Sequence, residues 1–302
     1  MSQVMNQIDN KTVAFADAFY SGVQIVAEHM KECSGMIEGV RVKDDTPARD
    51  ATIQGLWFRA RAWMQSLEAL NHTKHFQAIS AANRALLEIL VDLILLHHDK
   101  TNGLGWKIHQ WGISERMKRA EQIVDFYQAA GRPVPAEDAL VETFYKNEKA
   151  HVDRMRLNLW PTKKNKPEHP KRWTGSSDLS VDVGASDRLH GAEIQSQLGV
   201  SLLEYYRTRY RQMNWYIHSG TASFWNVPPE GFDLVVGFAL RDCADLAMLS
   251  TKIVLTDFGF HHAISDLRDK WESVADQRVL AYAEKMNIQP DKPESKSRII
   301  TF

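Results

Sequence analysis

Cysteine is scarce in this chain. Only Cys33 and Cys243 occur in 302 residues, far apart and outside any C-x-x-C pattern. That excludes a disulfide scaffold and a thiolate zinc site as organising principles. Net charge is also missing: 37 basic residues stand against 38 acidic ones, a formal −1. Attraction to nucleic acid or to an anionic membrane therefore has to come from a local patch. Long apolar runs are absent too. The stretch Ile89 to Leu96 is interrupted by Asp92 and is far too short to span a bilayer. The start, MSQVMNQIDNK, lacks a basic segment followed by an apolar one, so no secretory signal is expected. There is no P-loop, no strand-linked G-x-G-x-x-G, no G-x-S-x-G elbow, no repeat of fixed length and no low-complexity tract. The expectation is a cytoplasmic protein with no membrane association and no cofactor.

What the chain does have is long proline-free stretches. No proline falls between Pro47 and Pro133, between Pro170 and Pro228, or between Pro229 and Pro290. Combined with apolar residues recurring every three or four positions, these predict long helices. The spacing predicts helices over about Lys11–Lys31, Thr46–Asn71, Thr73–His98, Ile113–Ala130, Ala136–Asn158, Ser201–Ser219, Gly231–Asp257 and Ser265–Met286. Thr46-Pro47 is an N-cap followed by proline at the first helical position. Gly131-Arg-Pro133 is a stop signal. Asn102-Gly-Leu-Gly105 reads as a turn. No strand-period segment exceeds a few residues. The fold class is all-α, a multi-helix bundle. Residues 1–287 are expected to form one domain, with 160–188 as a long irregular insertion and 288–302 as a loose tail.

That insertion carries Lys163, Lys164, Lys166, Lys171 and Arg172 between Trp160 and Trp173, with Glu168 the sole acid from Pro161 to Trp173. Basic residues framed by tryptophans suit phosphates and stacked bases. A solvated surface loop is the alternative.

The richest constellation lies in Arg207-Thr-Arg-Tyr-Arg-Gln-Met-Asn-Trp-Tyr-Ile-His218. As a regular helix it sets Arg207, Arg211, Asn214 and His218 on one face. Arginine offers forked donors to phosphate, and histidine titrates near neutrality. Cleavage of RNA by its own 2′-hydroxyl needs a proton acceptor, a proton donor and positive charge at the phosphate. His218 as acid/base, Arg211 as anchor, Asn214 as orienter and Arg207 as accessory charge meet that need without metal. The alternative is architectural: a buried His218 and arginines paired to a neighbouring helix. A second cluster, Arg84, Glu88 and Asp92, lies at steps of four in an apolar helix. Buried charges must be matched. Either Arg84 and Glu88 pair within the helix, or they answer partners on the helix of Arg211. His72, His75, His97-His98-Asp99 and His261-His262 show no metal-ligand spacing, and adjacent histidines point to different helix faces.

The pattern Arg84-x-x-x-Glu88, Trp173-x-Gly175, Tyr206 and Tyr216-Ile-His218-Ser resembles a bacterial helical family labelled domain of unknown function, number 5677. The likeness covers residues 50 to 260 and implies no activity by itself. A looser resemblance is to the HEPN superfamily of prokaryotic defence and toxin systems. Many of its members are metal-independent ribonucleases with Arg, four to six residues, then His at a dimer interface. Arg211 and His218 have six residues between them, and Gln212 stands where that family usually carries Asn, Asp or His. The resemblance implies a HEPN-like homodimer acting on RNA. The second reading is a helical interaction or sensor module with a protein partner.

Overall fold

A computed structural model describes residues 2–41, 47–70, 75–99, 103–218 and 229–271. Every regular element among them is helical. In chain order these are α1 (Ser2–Glu38), α2 (Pro47–Ala69), α3 (Phe76–His97), α4 (Gly103–Ala129), α5 (Ala139–Leu159), α6 (Leu179–Leu198), α7 (Leu202–Tyr205), a π-helical segment (Tyr206–Tyr210), α8 (Arg211–His218) and α9 (Pro229–Asp257). Residues 261–271 are helical as well. The expected tail, 288–302, lies outside the described residues.

Where the sequence suggests one domain, the described residues fall into two compact units: those within 2–41, 53–98 and 183–271 in the first, those within 47–52 and 99–182 in the second. In the first, α3 is the central helix. It is buried along Ile79, Leu86, Leu90, Leu93 and Ile94, and also at Leu87 and Val91, so it is covered on more than one face. α9 packs on both α1 and α3, and α8 packs on α3. The Trp57 indole donates to Thr251 Oγ1 at 3.3 Å, joining α2 to α9.

The second unit is built on α4 and α5. Its apolar cluster is small: Met117, Ala120 and Val152, flanked by Ile113, Phe144, Tyr145 and Met155. A buried cation supplements it. Arg156, 2 % exposed, donates from Nε to Ser114 Oγ (2.8 Å) and from Nη2 to the Ser114 carbonyl (3.0 Å). Its Nη1 reaches Glu121 at 2.9 Å, and Lys149 shares that carboxylate.

Two local readings are corrected. Gly103 and Gly105 belong to the first turn of α4 rather than to a loop. Asp99 Oδ2 accepts from Leu104 N–H at 2.8 Å and caps the start. Gly105 is required by close approach: a Cβ there would stand 2.4 Å from the Arg49 backbone. Irregular chain covers only 160–178, because Leu179–Leu198 is a helix. Asp178 Oδ1 accepts from Ser180 N–H at 2.8 Å at its start. Glycine, serine and aspartate mask its weak apolar periodicity, and it kinks at His190 (φ −137°, ψ 17°).

Candidate functional site

The chain enters the Arg/Asn/His segment through a doubly capped helix start. Asp187 accepts from the N–H groups of Leu202 and Leu203, each at 2.7 Å. Ser201 Oγ accepts from Glu204 N–H at 3.1 Å. The helix then widens to π geometry over Tyr206–Tyr210 before resuming as α8. Rare π turns inside helices concentrate at functional sites. This one also breaks the regular period, so the single stripe expected from Arg207 to His218 is interrupted between Arg207 and Arg211.

The inward side of the segment is fixed by polar contacts. Tyr205 Oη donates to Asn83 Oδ1 at 2.9 Å. Tyr210 Oη donates to Glu88 Oε1 at 2.8 Å, and Arg84 Nε donates to the same oxygen at 3.1 Å. Both alternatives for the α3 charges are thus realised together: an intrahelical Arg84–Glu88 pair, and a partner from the helix of Arg211. Asp92 is half-buried on the same helix. Arg209 Nη1 contacts Asp242 Oδ1 at 2.6 Å. Asp242 is 2 % exposed, and burial, opposed by Arg209, pushes its carboxyl up to about 6. Sequence reading missed this pair, since nothing local marks Arg209 as the inward arginine.

The outward side differs. Arg207 and Arg211 are exposed, and neither has an ion-pair partner among the described residues. The Arg211 guanidinium lies 5.8 Å from the Tyr206 ring, which stacks on Tyr210 at 5.0 Å. Asn214 is half-buried, and its Oδ1 is buried with no hydrogen-bond partner among the described residues. An unsatisfied buried polar atom is uncommon in a folded protein. His218 is the last residue of α8, and its side chain lies outside the described residues.

The basic segment belongs to the second unit. Trp160 and Trp173 are core residues, 6 % and 2 % exposed, and Trp160 Nε1 donates to the Trp173 carbonyl at 2.9 Å. They hold the segment's two ends together and offer no ring face to a base, contrary to the expectation from sequence. Arg172 is held inward as well, its Nε 2.9 Å from Asp182 Oδ2. Lys163, Lys164, Lys166 and Lys171 are exposed. The first three ride a tight turn: Thr162 Oγ1 accepts from Lys166 N–H at 2.9 Å, and Asn165 N–H reaches the Thr162 carbonyl at 3.0 Å. Asn165 takes the left-handed conformation (φ 48°) that asparagine tolerates. The segment is tied along α4. Lys107 Nζ donates to the Thr174 carbonyl (2.9 Å), and Trp111 Nε1 donates to that of Pro170 (3.2 Å). Ser114 Oγ meets His169 Nδ1 (2.8 Å), whose Nε2 faces Glu115 Oε1 (2.7 Å). Burial lowers the His169 pKa. Ser114 is fully buried under Arg156, so this Ser–His–Glu run is a tether.

The His97-His98 pair named in the sequence is joined by His190, which sequence did not indicate. The rings of His97, His98 and His190 lie 4.9, 5.9 and 5.7 Å apart pairwise. The adjacent histidines at the end of α3 therefore meet, contrary to expectation, with the α6 kink supplying the third ring. Among the described residues no group of His, Cys, Asp and Glu is arranged to hold a metal ion. No described helix is long and apolar enough to cross a membrane. His72 lies outside the described residues.

No family model, curated protein or solved structure matches this chain.

Proposed function

We propose that this protein binds RNA and cleaves it without a metal ion. The carrying observation is the pair of exposed arginines, Arg207 and Arg211, which have no ion-pair partner among the described residues and sit within and just after the π turn, with the buried Asn214 Oδ1, without a hydrogen-bond partner among the described residues, one turn beyond Arg211 in α8. Guanidinium donors left to solvent suit phosphate oxygens. Arg211 anchors the scissile phosphate, Arg207 adds charge and Asn214 orients His218. His218 accepts the proton of the 2′-hydroxyl as its oxygen attacks phosphorus. The P–O5′ bond then breaks, and the imidazolium of a second copy in a homodimer protonates the departing oxygen. Lys163, Lys164, Lys166 and Lys171 contact the strand's phosphates.

Purified protein incubated with mixed RNA and a chelator tests this. The wild type should cleave. His218→Ala should lose cleavage by about 100-fold or more, the scale of general acid–base catalysis, while keeping RNA affinity. Equal cleavage by both, or none by either, sinks the catalytic claim.

The Arg84–Glu88–Tyr210 contacts support a second reading, a non-enzymatic interaction module in which the whole cluster is architectural. Under it His218→Ala lowers stability by about 1–3 kcal/mol through unsatisfied partners. Under the enzymatic reading its melting curve overlays the wild type.

A further inference from the structure

The segment Tyr206–Tyr210 holds a geometry that its own residues do not call for. It contains no proline or glycine, and an ordinary α-helix is the default for such a run. Its π character is explicit: Arg211 N–H donates to the Tyr206 carbonyl, five residues back rather than four. A sparsely populated backbone state persists only where the surroundings over-determine it. The hold must therefore come from the neighbouring helices.

Three contacts supply it. Tyr205 reaches Asn83 and Tyr210 reaches Glu88, so side chains five apart on this segment meet side chains five apart on α3. In a regular helix residues five apart stand about 140° apart around the axis and could not both face α3. The five-residue closure of the π turn brings them nearly into line. The third contact is ionic. Arg209 meets Asp242 of α9 at 2.6 Å. The carboxylate is buried, but the Arg209 side chain is 34 % exposed, so the pair can open toward water. The charged groups about Asp242 are Arg209 from the π turn and Asp245 and Arg241 on its own helix. Gln197 of α6 donates to Asp245, and α3 presents the neutral Asn83, with Glu88 and Arg84 farther along. Burial and Asp245 raise the Asp242 carboxyl, Arg209 and Arg241 oppose them, and it titrates at about 6.

We propose that the Arg209–Asp242 pair is a register lock that holds Arg207 out of line with the rest of the RNA-cleaving site. With Asp242 ionised, Arg209 is kept inward and the turn stays wide. With Asp242 neutral, Arg209 is released and the turn tightens to an α-helix. Tyr210 then gives up Glu88, which keeps Arg84. Arg207 comes into line with Arg211, Asn214 and His218, the stripe that a regular helix makes of this segment. The scissile phosphate then meets two guanidinium groups as charge develops on it. Arg209 is thus a positioning residue, and the inference rests on the RNA reading above.

Asp242→Asn in the full chain tests it, because the amide keeps the shape of the carboxyl and removes its charge. Its crystal structure at about pH 7.5 should show Arg211 N–H bonded to the Arg207 carbonyl, four back. At the same pH it should cleave mixed RNA about 10- to 100-fold faster than wild type, up to the scale of one transition-state donor. Its affinity for a 2′-deoxy oligonucleotide, which cannot be cleaved, should be unchanged. His218 titrates in both proteins alike, so the ratio of their rates isolates Asp242. That ratio should fall to about one by about pH 5, as the wild-type carboxyl takes its proton. Arg209→Lys, which keeps the ion pair, should follow wild type. Arg211 N–H still on the Tyr206 carbonyl in Asp242→Asn overturns the lock and leaves the RNA reading standing. A tightened turn with no gain in rate, or a ratio flat across pH, overturns it as well. No cleavage by either protein removes the RNA reading, and the crystal register then decides the lock by itself.

Discussion

At the residue scale, neighbouring arginines in one segment have opposite roles, and their environments set the expected mutational effects. Arg209 faces a buried carboxylate, while Arg211 faces water. Arg211→Ala should change stability by no more than about 0.5 kcal/mol, because an exposed side chain that contacts the Tyr206 ring contributes little. Tyr210→Phe strips a hydroxyl from Glu88. It should cost about 1 kcal/mol in chemical denaturation and leave RNA affinity unchanged. Asp242 gives a pH signature. Its carboxyl sits at about 6 in the fold, above its value in the unfolded chain, so the folded state holds the proton more tightly. Stability from this group is full below about pH 4 and is lost as pH rises through about 6. Asp242→Asn cannot titrate. Its stability relative to wild type should therefore rise between about pH 4 and pH 7, by on the order of 2 kcal/mol. Urea melts at the two pH values check this, and a flat difference would sink it.

Elements were legible where their signals are local. Pro47 opens α2 as expected. The stop at Gly131 is a left-handed C-cap (φ 65°), with Arg132 N–H reaching back to the Tyr127 carbonyl at 3.0 Å. α6 was not legible, because Asp182 and Ser186 interrupt its buried Leu179, Val183, Ile194 and Leu198 face and its packing partners lie elsewhere in the chain. Nor was the role of Gly105, since sequence cannot distinguish a turn glycine from one admitting another backbone. Gly105→Ala should destabilise by several kcal/mol, more than ordinary overpacking of about 1–3 kcal/mol, because its Cβ would meet backbone. Gly55→Ala is the control. Gly55 lies in α2 with nothing within 4 Å of the added carbon, and the change should stabilise by up to about 1 kcal/mol. Thermal melts of the two variants should move in opposite directions.

For the whole molecule, the near-zero net charge means that any affinity for RNA is local and ionic. Each phosphate contact releases counterions, and for single strands the slope of log K against log salt changes by about 0.7 per contact. The triple alanine variant at Lys163, Lys164 and Lys166 should flatten that slope by about 2. An unchanged slope removes these lysines from the interface. The two compact units also separate the charged groups: Arg207, Arg211 and Asn214 lie in the first, the lysine turn in the second. Each set can therefore be disabled by itself and its share of binding measured.

The chain's order of residues alone determined the all-helical class and the spans of α2, α3, α5 and α9, because apolar period and start and stop residues act within a few positions; α1 and α4 start at Ser2 and Gly103, ahead of the expected Lys11 and Ile113. It also placed Arg84, Glu88 and the arginines on helices. Tertiary structure decided which of those groups are occupied and which are open. Glu88 is claimed by a tyrosine 122 positions away and Asp242 by an arginine 33 positions away. Trp160 and Trp173 are enclosed while Trp106 is not. Pairing and burial depend on neighbours brought together by packing, and no local pattern encodes them.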